Sequence, residues 1–335
     1  MRILGYICTK GRYDTTLPMA MLSMIQQTRR VDKFMVFDDN SDADKRNPRN
    51  MEHYHYLIKL LEDKGIPWEW VWAKKMGAHH SHEMANMKGF DLAWFIDDDC
   101  VAEPNCLEKL ELEMKDNVGA VGGLILQPPA KPLPPNIDDN KIDSLHMPNI
   151  QWFRWEGKPR NVEHIYSQFL YRCNVVHHDL RLSSVVFRGE TMFTHSLFLG
   201  GYRLIVTPNA ITWHFQSTGG IHSGQTADNW SHDEQLFRQW LAFRRMGRKL
   251  YVLDNGLGDH YMFLQAIKPE PDSIIACCYP EALRGYNLMS IAEAEKVVDK
   301  KDYDVYEWCV QNHWKGTLVA AFREMYANIN CTRQQ

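Results

Sequence analysis

Three adjacent carboxylates, Asp97, Asp98 and Asp99, follow directly on the apolar run Leu92-Ala93-Trp94-Phe95-Ile96. A run of this length reads as a buried strand, so the charges emerge where the strand leaves its sheet. The carboxyl ends of strands are where open α/β sheets bind their ligands. Extended chain alternates faces, which sends Asp97 and Asp99 to one side and Asp98 to the other. Two like charges held together repel, and a hard divalent cation with oxygen ligands relieves the repulsion. An Asp-X-Asp at a strand end is therefore a candidate metal and phosphate site, with a solvated acidic turn as the plainer reading of three Asp residues taken alone.

The elements that must position these carboxylates precede them in order. Residues 3–8 read as a first buried strand and Thr9-Lys10-Gly11-Arg12 as the loop leaving it. Thr15 or Thr16 caps a helix with Pro18 in its first turn, and Met19, Leu22 and Ile25 supply its apolar stripe. A second strand, residues 33–37, runs into Asp38-Asp39-Asn40-Ser41-Asp42. Strand, helix and strand with polar loops at the strand exits make a βαβ unit and a parallel sheet. Acidic residues at the second exit can accept hydrogen bonds from a base or ribose. The absence of a glycine-rich phosphate fingerprint argues against a Rossmann dehydrogenase. A helix over 52–64 ends near Gly65, and Trp68-Glu69-Trp70-Val71-Trp72 alternates like a third strand.

Next comes Met76-Gly77-Ala78-His79-His80-Ser81-His82-Glu83-Met84, entering a helix. Its histidines are open to three readings: metal ligands, phosphate donors at a helix start, or plain surface. Further on, residues 118–126 form another apolar strand and the proline-rich stretch 127–135 an extended loop. The aromatic and basic stretch Trp152-Phe153-Arg154-Trp155 reads as core packing or as an acceptor platform on which a sugar or base stacks.

Composition bounds the class. The 335 residues can bury a large core, and 44% hydrophobic with 24% charged residues is ordinary for a globular protein. A net charge of −4 gives no general attraction to nucleic acid or anionic membrane. The eight cysteines include no Cys-X-X-Cys pair. The N-terminal apolar run is too short for a signal peptide, and no apolar run of about 18 residues occurs, so no integral membrane segment is expected. A cytoplasmic protein with reduced thiols is the default expectation.

Phe37-Asp38-Asp39-Asn40-Ser41-Asp42, then Gly77 before a helix, then Phe95-Ile96-Asp97-Asp98-Asp99, then Arg188-Gly189-Glu190, and finally the run from Gly201-Tyr202 through Pro208-Asn209-Ala210 to Trp213-His214 form an ordered series. In this order and spacing the first two thirds of the chain resembles the inverting family 2 glycosyltransferases of the GT-A fold. The resemblance implies a GT-A nucleotide-diphospho-sugar transferase fold, with a mostly parallel central sheet flanked by helices. It implies a donor site of Thr9, Asp39, His82, Asp97 and Asp98, with Asp39 facing the base and His82 standing where the family commonly has Arg. It implies a metal site of Asp97, Asp99 and His214 for Mn²⁺ or Mg²⁺, with Asp99 the more direct ligand. Glu190 takes the place of the family's catalytic base, usually the Asp of a Glu-Asp pair. The implied reaction moves a sugar from a nucleotide-diphosphate donor, expected to be a UDP-sugar, to the hydroxyl of a glycan or other acceptor.

The expected division is residues 1–225 as the catalytic domain and 226–335 as a smaller extension, helical or α/β. Within the extension, Leu236, Phe237, Trp240, Leu241 and Phe243 share one helical face. Residues 249–260 are faintly similar to the opening of a GT-B-type half, and helices are expected over 303–329. Residues 216–224 read as a lid over the donor or as an ordinary connection. Two other classes stand beside the enzyme. One is a non-catalytic nucleotide-sugar or carbohydrate-binding protein on the same fold, motivated by Gly189-Glu190-Thr191. The other is a nucleotidyltransferase, disfavoured because its basic glycine-rich phosphate loop is missing.

Overall fold

In the computed structural model the apolar run Ile3–Thr9 forms β1, and Leu17–Ile25 forms α1. β2 (Lys33–Asp38), α2 (Glu52–Asp63), β3 (Trp68–Trp72), α3 (Ala78–Asn86) and β4 (Leu92–Asp97) follow in the expected order. The structure describes residues 1–73, 75–137, 139–142, 149–220, 226–246, 249–271, 273–295 and 303–327. The chain divides into two compact units, Met1–Gln225 and Thr226–Gln335.

The first unit continues with β5 (Cys100–Ala102), α4 (Cys106–Glu113), β6 (Val118–Leu126), β7 (Arg160–Val162), β8 (Phe169–Arg172), α5 (Gly189–Leu199) and β9 (Arg203–His214). Its described strands form one sheet in the order β3-β2-β1-β4-β8-β6-β9-β5, with β7 also paired to β9. β3, β2, β1, β4, β6 and β9 share one direction, while β8, β5 and β7 oppose them. This is a large, mostly parallel α/β sheet flanked by helices.

The sheet is covered on both faces, which is why its strands read as continuous apolar runs rather than alternating ones. Leu92, Trp94 and Ile96 of β4 enter one core with Leu17 and Met24. Ala93 and Phe95 enter the other, with Tyr6, Phe193 and Leu197. Asp97 continues the Ala93–Phe95 face by the two-residue period, and that is the face on which α5 packs. β6 and β9 approach so closely at an irregularity between Gly122 and Leu124 that a Cβ on Gly123 would collide with the Ala210 carbonyl.

One local expectation is corrected. Met19 is 47% exposed, while the expected Ile25 is buried and Leu22 packs against the core; α1 also buries Leu17, Ala20, Met21 and Met24. The helix begins at Leu17, so its i, i+3, i+4, i+7 face is counted from that residue. Thr16 stands at the N-cap without a side-chain capping bond.

The second unit comprises α6 (Ala227–Met246), β10 (Leu250–Leu253), α7 (Leu257–Ala266), β11 (Ile274–Cys277), β12 (Asn287–Met289), α8 (Ile291–Ala294), α9 (Val305–Gln311) and α10 (Leu318–Ala327). It is α/β: β10, β11 and β12 form a parallel sheet whose core includes Tyr251, Phe263, Phe322 and Tyr326. Leu236, Phe237, Trp240 and Leu241 are buried, while the side chain of Phe243 lies outside the described residues, as do residues 221–224 of the expected lid and 328–329 of the last helix. No described helix is long and apolar enough to cross a membrane.

Candidate active site

β4 ends at Asp97, and the chain turns at once through Asp98 and Asp99 into β5. At this turn Arg12, from the loop after β1, reaches both Asp98 and Asp99. Its Nη1 pairs with Asp98, and its Nη2 lies 3.0 Å from Asp99 Oδ2. Asp98 also accepts from Thr9 Oγ1 at 2.7 Å and from the Lys10 backbone N–H at 3.3 Å. Thr9 and Asp98, both expected at the donor, thus bind each other and fasten the first loop to the end of β4. Arg12 Nη2 further donates to the carbonyls of Ser217 and Gly219, at 2.9 and 3.2 Å, which ties the segment after β9 to the same point.

The environments of the three aspartates shift them in different directions. Burial pushes the Asp98 carboxyl up to about 6 despite the Arg12 guanidinium. Burial and then repulsion from Asp99 raise Asp97, although Ser167 Oγ donates to it at 2.8 Å. Asp99 goes the other way: burial opposes its charge, but the His214 hydrogen bond, His214's charge and Arg12 together hold it below the usual carboxylate range.

His214 ends β9 and sits directly opposite Cys100 in the antiparallel β5/β9 ladder. Its Nε2 lies 3.3 Å from Asp99 Oδ2, and Gln127 Nε2 lies 3.4 Å from its Nδ1. Burial works against a charge on His214, yet Asp99 raises its pKa on balance. Asp99, Cys100 and His214 each offer a ligand atom, and these atoms lie within 4.8 Å of one another. Small adjustments bring such a set around one ion. Asp97, the other expected ligand, stands outside this trio but close enough to feel the charge of Asp99.

Glu190 lies in the first turn of α5, behind Arg188, an N-cap residue in the left-handed region at φ 68°. It is partly buried. Burial and then the charge of Asp97 push its carboxyl up to about 8. α5, which carries Glu190, packs through Phe193 and Leu197 on the sheet face that Ala93 and Phe95 share. Tyr166 adjoins the same pair: burial, then Glu190, push its hydroxyl up to about 12, with Asp97 contributing. Trp152 packs edge-on against Tyr166, ring centroids 5.3 Å apart, and stays 38% exposed. The stretch 152–155 therefore divides, since Trp155 is buried in the core while Trp152 and Tyr166 form an aromatic wall near Glu190.

Asp39 is buried, and its two oxygens accept from the backbone N–H groups of Met76 and Gly77 at 2.8 and 3.1 Å. It shapes the entry to α3, where Gly77 at φ 90° has no room for a Cβ against His79 and Ser184. Any contact with a base uses the lone pairs that remain. His82 turns from the carboxylates into the core. It lies 2.9 Å from the Tyr6 hydroxyl and packs on Phe95 and His178. Burial, then His79, push it down to about 3, which disfavours a charge on the imidazole. His79 is likewise buried and pushed down to about 4, first by burial. Among the described residues the 79–82 histidines form no cluster with metal-ligand spacing.

Arg12, Ser167, Tyr166 and Cys100 are the site residues that the sequence did not single out. Arg12 alone had a signal, a basic residue after Gly11 in a loop at a strand exit.

No known protein family matches the chain, and no curated protein sequence matches it. Its structure is similar to that of S. aureus TarS 1-349 in complex with UDP-GlcNAc, with a TM-score of 0.52 and 10% identity over 98% of this chain and 91% of that one. It is similar to TarS 1-349 in complex with UDP at a TM-score of 0.50 and 10% identity, over 98% and 88% of the two chains. Against the longer S. aureus TarS structure the TM-score is 0.49 at 10% identity; 98% of this chain aligns, spanning 53% of that one, about half its length. At such identities the likeness is one of fold, and the fold is of the GT-A type.

Proposed function

We propose that this chain is a metal-dependent inverting glycosyltransferase that moves a sugar from a UDP-sugar to an acceptor hydroxyl. The observation that supports the reading is the end of β4, where His214 lies 3.3 Å from Asp99 and Ser167 donates to Asp97, whose charge adds to burial in raising the Glu190 carboxyl. The likeness of fold to a protein seen with UDP-GlcNAc supports a nucleotide-sugar donor.

In this reading Asp97, Asp99 and His214 hold a divalent cation, Mn²⁺ or Mg²⁺, which when bound neutralises the diphosphate leaving group. Asp39 and the loop fastened by Thr9 and Asp98 shape the nucleoside pocket. Glu190, once ionised, takes the acceptor hydroxyl's proton as the oxygen attacks the anomeric carbon. The bond from that carbon to the diphosphate oxygen breaks on the opposite face, and the configuration inverts. Tyr166 and Trp152 offer the acceptor ring an aromatic wall.

The test is a thermal-shift screen of nucleotide sugars with and without Mn²⁺, followed by a transfer assay with the donor that binds. Such a donor stabilises the fold by about 2.7 kcal/mol at a hundredfold excess over its dissociation constant, and the midpoint rises with it. Failure of every UDP-sugar to shift the midpoint in the presence of Mn²⁺ sinks the proposal. Gly189-Glu190-Thr191 in place of the family's Glu-Asp pair, with the Glu190 carboxyl pushed up by burial, favours a second reading, a nucleotide-sugar-binding protein without turnover. Donor binding with no transfer up to pH 9 would select it.

A further inference from the structure

We propose that the tryptophan cleft on the outer strand β3 is a saccharide-binding site, separate from the carboxylate centre, that takes a ring of a neutral glycan. Trp68, Trp70 and Trp72 fall on one face of β3 by the two-residue period. With Asn47 and Arg49 from the neighbouring turn they line a cleft of about 330 Å³. Trp68 and Trp70 pack on the core that holds Leu17 and Met24, whereas α5 packs on the other core. The cleft therefore lies on the sheet face opposite the one that α5 and Glu190 cover.

Its floor is rigid. Trp70 Nε1 donates to Asp38 Oδ2 at 3.0 Å, Tyr13 stacks on the Trp70 ring with centroids 6.2 Å apart, and Tyr54 meets it edge-on at 5.8 Å. Trp72 is the open wall, tilted by 55° to Trp70 with centroids 6.2 Å apart. It is 38% exposed even with Lys45 over its ring, high for a residue type that is largely buried on average. Arg49 is held at the cleft over the Trp68 ring, 4.8 Å from its centroid.

The chemistry of the lining selects the ligand. Indole faces stack on the C–H face of a sugar ring, and the hydroxyls need donors and acceptors beside it. Asn47 Oδ1 accepts the Arg49 backbone N–H at 3.0 Å, which leaves the Asn47 NH₂ group to donate. β3 pairs only with β2 among the described strands, and the Pro67 carbonyl and the Ala73 N–H both bond to β2, so the backbone groups of the three tryptophans turn to the open edge. The acid of the lining, Glu69, is paired with Lys33 at 2.6 Å, and Arg49 is its one cation. A phosphate or carboxylate site gathers more positive charge than that, so the fit is to an uncharged, hydroxyl-rich ring. The volume stands at the small end of the range of about 300–1,000 Å³ for small-ligand sites, which suits a sugar ring and not an extended peptide. Only the identification of this glycan with the acceptor rests on the transferase reading.

The experiment probes the full chain on an array of neutral glycans without nucleotide or metal, then titrates the best-bound glycan against indole fluorescence. Hydrogen exchange of the wild type with that glycan should slow at residues 45–49 and 68–72. Trp72→Ala, at an exposed side chain, should keep the melting midpoint and weaken glycan binding at least about 10-fold. The proposal is overturned if the array binds nothing, if binding survives in Trp72→Ala, or if uridine or an extended peptide changes the fluorescence where glycans do not. A loss confined to Trp152→Ala, on the wall near Glu190, would put the glycan at the reaction centre and overturn it as well. Binding here needs no donor, metal or turnover, so a protein that binds glycan at the cleft yet responds to no UDP-sugar would overturn the transferase reading alone.

Discussion

Replacing Glu190 with Gln removes one titration and keeps the shape of the side chain. The Glu190 carboxyl is held near 8 against an ordinary 4.5, by burial first and Asp97 second. Below about pH 4.5 the group is protonated in both the folded and unfolded chains and adds nothing to the pH slope. Between 4.5 and 8 the folded chain keeps the proton that the unfolded chain has lost, so stability falls as pH rises and levels off above 8. The gap corresponds to a loss on the order of 3–5 kcal/mol across that window. Glu190→Gln does not titrate and escapes it. Urea midpoints of the two proteins, measured at steps from pH 4 to 9, should therefore diverge in favour of the variant as pH rises, while titrating groups not coupled to Glu190 cancel in the comparison. Activity should move oppositely. At pH 7 roughly one Glu190 in ten is ionised, so kcat/KM of the wild type should climb towards pH 8, and Glu190→Gln should be lower by about 10²–10⁴-fold and lack that limb. A cation beside Asp97 would move the limb to lower pH by easing ionisation. Parallel pH courses of the two midpoints would refute the burial argument, and near-normal turnover in the variant would remove Glu190 from the chemistry.

Three further outcomes follow from the same geometry. Arg12→Met strands Asp98 and Asp99, whose side chains are only 6% exposed, and should cost about 3–5 kcal/mol; an unchanged melting midpoint would show that the cluster does not need its cation. Asp99→Asn should abolish the Mn²⁺ dependence of donor binding in a thermal-shift titration, and a wild type fully active in chelator would contradict the metal assignment. Gly123→Ala drives a methyl group into the Ala210 carbonyl across the β6/β9 pairing and should destabilise the fold by about 1–3 kcal/mol, checked by urea denaturation.

Elements buried on both faces were legible in the sequence because uninterrupted apolar runs mark them, as in Ile3–Thr9, Leu92–Asp97 and Val118–Leu126. The short strands were not. Cys100–Ala102 and Arg160–Val162 have three residues each, too few for a period to show. Phe169–Arg172 owes its place between β4 and β6 to long-range pairing with Ala93 and Val121. Without β5, nothing in the sequence sets Cys100 opposite His214, so the thiol stayed invisible as a site residue.

The carboxylates were legible because adjacency in the chain places them together at a strand end, but three Asp residues in a row look alike on paper. Their partners make them unlike. Arg12 and Thr9 reach Asp98 only because β1 lies beside β4, and His214 reaches Asp99 only because β9 pairs with β5. Asp99 is consequently held charged, while Asp98 and Glu190 are pushed up to about 6 and 8 by burial. Neighbouring groups driven apart in this way let one hold a cation while another waits to take a proton. His82 shows the converse. Its position in the chain suggested a donor contact, yet burial against Tyr6 and Phe95 disfavours a charge on it, and the positive charge beside the aspartates comes from His214 and from Arg12, seventy residues before His82.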